Sequence, residues 1–330
     1  MDHNVSELHK FMFEGLPVRG MLVRLDDAWQ EMLRRRQEAG GYPAAVTSLL
    51  GEMVAATSLM QTNIKFNGAV VMQIQGDGPV KLAVAEVQPD LSVRATAKVQ
   101  GEVAEDVPLS HMVNVNRQGR CAITLDPKDR MPGQQPYQGV VPLVDGRGRT
   151  LEKLSDVIEH YMLQSEQLDT KLVLAADDRV AAGLLIQRIP LQGEANLSGE
   201  SAVRREEDQL GQNEDYNRIA TLAASLKREE LLTLDVDTIL RRLFWEEDVR
   251  RFEPLTGERG PRFACTCSRE RVAGMLQTLG TQEIEEILAE RGQVEVNCDF
   301  CGAHYRFDAV DAAQVFLKAA DQPKGSSNLQ

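Results

Sequence analysis

Cys265 to Val272 reads CTCSRERV, and Val296 to Phe307 reads VNCDFCGAHYRF. Four of the chain's five cysteines lie here, as Cys265-x-Cys267 and Cys298-x-x-Cys301, with 30 residues between the pairs. Thiolates at such short spacings converge on one ion, and four of them complete the tetrahedral shell that a structural Zn²⁺ prefers. His304, three residues after Cys301, is a further candidate ligand. With four thiolates available it is read as a surface residue or one lying behind the ligands.

The Cys-x-Cys pair carries a second meaning. An extended i, i+2 pair has Cα atoms about 6.6 Å apart, near the upper limit for disulfide closure. Both pairs are therefore able to oxidise, with Cys265 and Cys267 closing under more strain than Cys298 and Cys301. A strained bridge is more easily reduced, which suits a reversible switch better than a permanent staple. A bound ion would hold all four sulfurs as thiolates while withholding them from exchange.

Outside this stretch, composition sets bounds. At 330 residues the chain has room for two domains. Lys plus Arg total 37 against 50 for Asp plus Glu, a formal charge of −13. That balance argues against nucleic-acid and membrane partners, because phosphate affinity needs a clustered positive surface. The arginines between Arg241 and Arg271 are interleaved with Glu246, Glu247, Asp248, Glu253, Glu258 and Glu270, and read as a salt-bridged surface. No apolar run approaches the roughly 20 residues of a membrane span, and MDHNVSELHKFMF lacks a signal-peptide core. The expectation is a cytoplasmic protein, where thiols stay reduced and short cysteine spacings mean metal or redox chemistry.

Upstream, residues 2–13 read as a short helix, and Gly15 to Leu25 as a strand. Asp26 is a candidate N-cap for a helix through Arg36 that Gly40-Gly41 ends. A second helix starts near Pro43, where Val46, Leu49, Leu50, Met53, Val54 and Met60 recur at helical spacing and read as core. Ala69 to Gln75 and Val80 to Val87 flank Gly76-Asp77-Gly78-Pro79, a hairpin signal. Further strands are expected over 91–99, 121–125 and 139–144, with Cys121 a buried, inert thiol. A helix over 151–167 and a strand pair over 171–175 and 180–189 follow, and Pro190 closes the domain.

Gln192 to Asn217 is polar and charged, which is linker chemistry. Two amphipathic helices come next, one with Ile219, Leu222, Ala223 and Leu226 on one face. The other carries Ile239, Leu240, Leu243 and Phe244, with Asp237 as its N-cap. In the cysteine segment Ser268 caps a helix to Leu279, Thr281 begins another that Gly292 stops, and strands run into Cys298 and out through Tyr305 and Phe307. Asp308 starts a last helix, and the tail from Gln322 is expected to be disordered. The expected fold class is α+β: an N-terminal core of antiparallel strands with helices packed on one side, a helical linker, and a small C-terminal four-cysteine zinc-binding domain. The expected bounds are 1–191 for the core, 192–252 for the polar then helical linker, and 253–330 for the zinc-binding redox-switch domain. A nucleophile elbow, a Walker loop and a Ser/His/Asp arrangement are all absent, so the chain reads as a non-enzyme.

Beyond the cysteines, PVRG at 17–20, LLGEMVAATSLM at 49–60, QIQGDGPVKLAV at 73–84, YQGVVPL at 137–143, YMLQSEQLDT at 161–170 and GLLIQRIP at 183–190 complete a pattern. It resembles the redox-regulated holdase chaperones of the 33-kilodalton heat shock protein family over nearly the whole chain. Ala95 departs from it, standing after Arg94 where members carry glycine, and the polar linker is long. The resemblance implies that Cys265, Cys267, Cys298 and Cys301 bind one Zn²⁺ in a reduced, inactive state. It implies that oxidants form Cys265–Cys267 and Cys298–Cys301 bridges, release the metal and unfold the C-terminal region, and that the protein then binds unfolding client proteins without ATP. It further implies a homodimer when oxidised and transfer of clients to ATP-dependent foldase chaperones. The competing expectations are a constitutive zinc-stabilised scaffold or regulatory binding protein, and a thiol–disulfide oxidoreductase.

Overall fold

Residues 44–63, AAVTSLLGEMVAATSLMQTN, form helix α2 (Ala44–Asn63), whose buried residues cover every side of the helix. A helix that is apolar all round has to be enclosed. The computed structural model describes residues 5–38, 40–64, 66–129, 133, 135–189 and 213–320. In it α2 lies between two sheets, sharing one core with inward-facing residues of both, among them Met21, Val23 and Leu185 from one and Met72, Ala85 and Ile123 from the other. Val46, Leu49, Leu50, Met53, Val54 and Met60 are all core residues, as their spacing predicts.

The first sheet has the order β10 (Val249–Arg251), β1 (Glu7–Phe13), β2 (Val18–Leu25), β9 (Ala181–Arg188), β8 (Thr170–Ala176), and β11 (Leu255–Thr256) also pairs with β1. The second runs β12 (Arg262–Phe263), β5 (Ser92–Val99), β4 (Val80–Val87), β3 (Gly68–Gln75), β6 (Arg120–Pro127), β7 (Tyr137–Pro142). All these pairings are antiparallel except β12 with β5. The Gly76–Pro79 turn joins β3 to β4 as a hairpin, as expected. Cys121 pairs opposite Ile74 with no exposed surface, and burial pushes its thiol up to about 12.

Several expectations need correction. Residues 7–13 are strand, not helix, because pairing with β2 from Glu7↔Arg24 to Met12↔Arg19 overrides a weak local pattern. Leu8 faces the α2 core, whereas Phe11 and Phe13 face the other way. Helices are also not confined to one side. α1 (Asp27–Glu38) and α4 (Leu154–Tyr161) contribute Trp29, Met32, Val157 and Ile158 to the α2 core. The opposite face of the first sheet is covered by α5 (Glu214–Ala224), α6 (Arg228–Thr233) and α7 (Val236–Phe244). The cap of α7 is Asp235, whose side chain accepts from the Thr238 N–H, and Asp237 falls in the first turn. A five-residue helix α3 (Leu109–Val113) was not foreseen.

The chain divides into two compact units, Met1–Ala264 and Cys265–Gln330. The first runs past Glu253, where composition placed the start of the zinc segment, because β11 and β12 hydrogen-bond into its sheets. Residues 190–212 and the tail from 321 fall outside the described residues, so most of the polar linker and the expected disordered end are not part of this description. The second unit comprises α8 (Arg269–Leu279), α9 (Thr281–Arg291), the hairpin β13 (Val294–Asn297) with β14 (His304–Phe307), and α10 (Ala309–Ala320).

Two positions on α2 make the enclosure testable. A Cβ built on Gly51 would lie 2.4 Å from the Ala176 Cβ and 3.0 Å from the Trp29 ring. Gly51→Val is therefore expected to cost about 1–3 kcal/mol through overpacking, read as a lower urea midpoint by fluorescence of the buried Trp29. An unchanged midpoint would remove close approach as the reason for glycine there. Glu52 sits beside it, and burial pushes its carboxyl up to about 7 against the opposing pull of Arg228 and Lys153. The folded state then holds a proton that the unfolded chain has already lost, so stability falls as pH rises from about 4.5 to about 7. Glu52→Gln is expected to flatten that part of the stability–pH curve, and an unaltered slope would show that another group sets it.

Candidate metal centre

Cys265 and Cys267 come from the extended chain entering α8, and Cys298 and Cys301 from the turn between β13 and β14. The turn is closed by the Cys298 N–H donating to Ala303 O at 2.9 Å and the Gly302 N–H donating to Cys298 O at 2.8 Å. Gly302 has φ +70°, a left-handed conformation that a Cβ would strain, and this bends the chain tightly enough for both sulfurs to face one point. On the other side Ser268 caps α8 by accepting from the Arg271 N–H, which fixes Cys267 just ahead of the positive end of that helix.

The four Sγ atoms lie within 4.8 Å of one another. Cys265 and Cys298 are 3.6 Å apart, and Cys267 and Cys301 3.4 Å. A tetrahedron of sulfurs at about 2.3 Å from zinc has edges of roughly 3.8 Å, so the donor set fits that ion. His304 is exposed on β14 and lies outside the cluster. All four expected cysteines are thus brought together, and Cys121 belongs to the first unit.

Burial raises the Cys265 and Cys301 thiols. Burial acts on Cys267 as well, but hydrogen bonds from the Tyr305 hydroxyl and the neighbouring thiols bring it down to about 7. Tyr305 donates to Cys267 Sγ at 3.1 Å, and this bond raises the phenol in turn. Sequence reasoning placed Tyr305 on a strand and gave it no role. The only signal available was its position, four residues after Cys301 on the returning strand.

Around the cluster the core is small. Leu276, Ile284, Val294, Phe307 and Ala312 are its buried apolar members. Arg269 ties the elements together: its guanidinium lies 4.3 Å over the Phe307 ring, donates to Arg306 O at 2.8 Å and pairs with Asp311 at 2.8 Å.

A second feature belongs to the first unit. The outer face of its first sheet presents Phe11, Phe13, Val18, Leu22, Leu184 and Ile186, all buried under Ile219, Ala223, Leu231, Ile239, Leu243 and Phe244 of the covering helices. Phe244 packs edge-on against Phe13 at 4.9 Å and lies 6.1 Å from Phe11. Arg24 of β2 donates to the carbonyls of Leu231, Leu232 and Leu234 where α6 gives way to α7. Among the described residues, no helix is long and apolar enough to cross a membrane.

Comparison with known proteins agrees with this architecture. A family model described as Hsp33 protein matches residues 6–308. The 33 kDa chaperonin of Chromobacterium violaceum is 45% identical over 316 residues, covering 96% of this chain and 95% of that protein. That of Methylobacillus flagellatus is 42% identical over 319 residues, covering 96% and 97%. The crystal structure of the 33 kDa chaperonin from Thermotoga maritima superposes with a TM-score of 0.70 at 21% identity, covering 97% of this chain and all of that one. With a family match that spans both units and all four clustered cysteines, the chain belongs to the Hsp33 protein family.

Proposed function

We propose that this protein is a redox-regulated, ATP-independent holdase, held inactive by one Zn²⁺ on Cys265, Cys267, Cys298 and Cys301. The observation that carries the reading is the mismatch between the second unit's four clustered thiols and its slight core. Metal binding in small zinc modules supplies about 10–16 kcal/mol of apparent folding free energy, comparable to the net stability of a whole domain. A unit with so little buried apolar surface depends on that contribution. When bound, the ion supplies this stability and keeps the sulfurs as thiolates.

Oxidation removes the donor set. Each disulfide, Cys265–Cys267 and Cys298–Cys301, gives two electrons to one equivalent of an oxidant such as hypochlorous acid or peroxide, and its sulfurs no longer carry the charge that binds the ion. Cys265 follows Phe263 of β12 by two residues, so unfolding from the cysteines reaches the paired strands directly. Next upstream stand α5, α6 and α7, of 11, 6 and 9 residues. Helices of that length are marginal in water once they lose what they pack on. Their departure exposes the Phe11, Phe13 and Ile186 face, which takes up the apolar segments of unfolding clients. The cytoplasm, a homodimer in the oxidised state and onward transfer to ATP-dependent foldases complete the reading.

Two measurements test it. Light scattering of a heat-unfolded client is expected to fall only with oxidant-treated protein, in step with release of one zinc per chain to a chromogenic chelator. Zinc loss without suppression would leave a zinc-stabilised scaffold and end the chaperone reading. Separately, Phe244→Ala removes the ring that packs on Phe13 and should weaken helix docking by about 3–5 kcal/mol. The reduced, zinc-loaded variant is expected to suppress aggregation in part without oxidant. If it stays silent while oxidised wild type is active, the helix-covered face is not where clients bind.

A further inference from the structure

The four sulfurs contact one another, Cys265 Sγ lying 3.6 Å from Cys298 Sγ and Cys267 Sγ 3.4 Å from Cys301 Sγ. Cys267 Sγ also accepts from a side chain outside the four, the Tyr305 hydroxyl at 3.1 Å. Tyr305 pairs opposite Val296 in the β13–β14 hairpin, and its ring packs against the small core of the unit. The ring alone accounts for that packing, so the hydroxyl is free to serve another purpose.

We infer that Tyr305 is a positioning residue that sets how readily Cys267 reacts with an oxidant, and with it the threshold at which the metal site opens. The inference rests on the redox reading above. A hydroxyl pointing at a thiolate draws electron density from the sulfur and occupies one of its lone-pair directions, and the sulfur is then a poorer nucleophile. Donors behind metal-bound ligands act in the same way on affinity and reactivity, with effects of about 10–100-fold on removal.

The step it restrains is attack of a thiolate on peroxide. The sulfur lone pair forms an S–O bond, the O–O bond breaks, and hydroxide leaves with one sulfenic acid formed. A second thiolate attacks that sulfur and expels the remaining hydroxide, so two thiolates are oxidised to one disulfide as one peroxide is reduced to two hydroxides. The Tyr305 bond acts on the first of these events when Cys267 is the attacking sulfur. It has to break or shift before that lone pair reaches the oxidant.

Tyr305→Phe removes the hydroxyl and keeps the ring. The zinc-loaded variant and wild type are compared in two ways: the rate of zinc release under excess peroxide, and the rate of alkylation by iodoacetamide at each cysteine, read by peptide mass. The expected result is release about three- to tenfold faster and alkylation accelerated at Cys267 more than at Cys265 or Cys301. Equal rates would overturn the inference, and so would uniform acceleration at all four sulfurs, which is the signature of a loosened fold. The alkylation arm needs no redox chemistry. Wild type inert to peroxide, with Cys267 still selectively faster in Tyr305→Phe, would sink the redox reading and the threshold with it, and leave only the hold of Tyr305 on Cys267 nucleophilicity.

Discussion

A strand with apolar side chains on both faces has to be covered twice, and β9 is such a strand. Ala181 and Leu185 point to α2, while Ala182, Leu184 and Ile186 point away from it. Once α2 is enclosed between the sheets, the first sheet still presents a second apolar face. A second sheet or a long helix would close that face permanently. Here it is closed by three short helices that follow a long polar stretch of sequence. The strength of the core and the weakness of its outer cover thus arise from the same sheet.

The second unit inverts this arrangement. Its hairpin and three helices bury five apolar side chains outright, and the ligand turn and the α8 cap are shaped to aim sulfurs at one point. Arg269 lies over Phe307 and pairs with Asp311, which ties hairpin to helix through partly exposed contacts worth little individually. On the proposed reading, what a larger core does by burial this unit would leave to four thiolates, whereas the first unit's thiol, Cys121, is sealed in a sheet.

How far the sequence could be read follows from the range of each interaction. The cysteine spacing, the Gly76–Pro79 hairpin and the apolar repeat of α2 are local signals, and each maps onto the observed element. Glu7 to Phe13 misleads because Leu8, Phe11 and Met12 fall at i, i+3 and i+4, a helical face by spacing, although the strand places Leu8 and Phe11 on opposite sides. Helix α6, at six residues, is too short to show a period. Asp237 reads as the cap from the sequence, but Asp235 is the residue that caps, because its side chain is the one that meets the Thr238 N–H. At the candidate metal centre the four cysteines that cluster were legible and the Tyr305 donor was not. A bond from one strand of a hairpin to a cysteine 38 residues earlier depends on a register that no local pattern encodes.

These ranges also bear on where control can reside. Interactions within α2 and the two sheets are cooperative with the whole core, so a signal acting there has to work against most of the unit's stability. The covering helices are held by one apolar layer and by a few polar ties, among them Arg24, whose donors meet the carbonyls where α6 ends, and Arg228, which donates to Ala176 O. Their apolar contacts are with the outer face, and the Arg228–Glu52 ion pair at 3.9 Å links them to α2. The cysteines lie on the chain just beyond the strands that anchor the far end of this cover. On the proposed redox reading, a covalent change in four sulfurs would act on this outer layer, and the surface that layer conceals is the apolar face of the first sheet that α2 leaves uncovered.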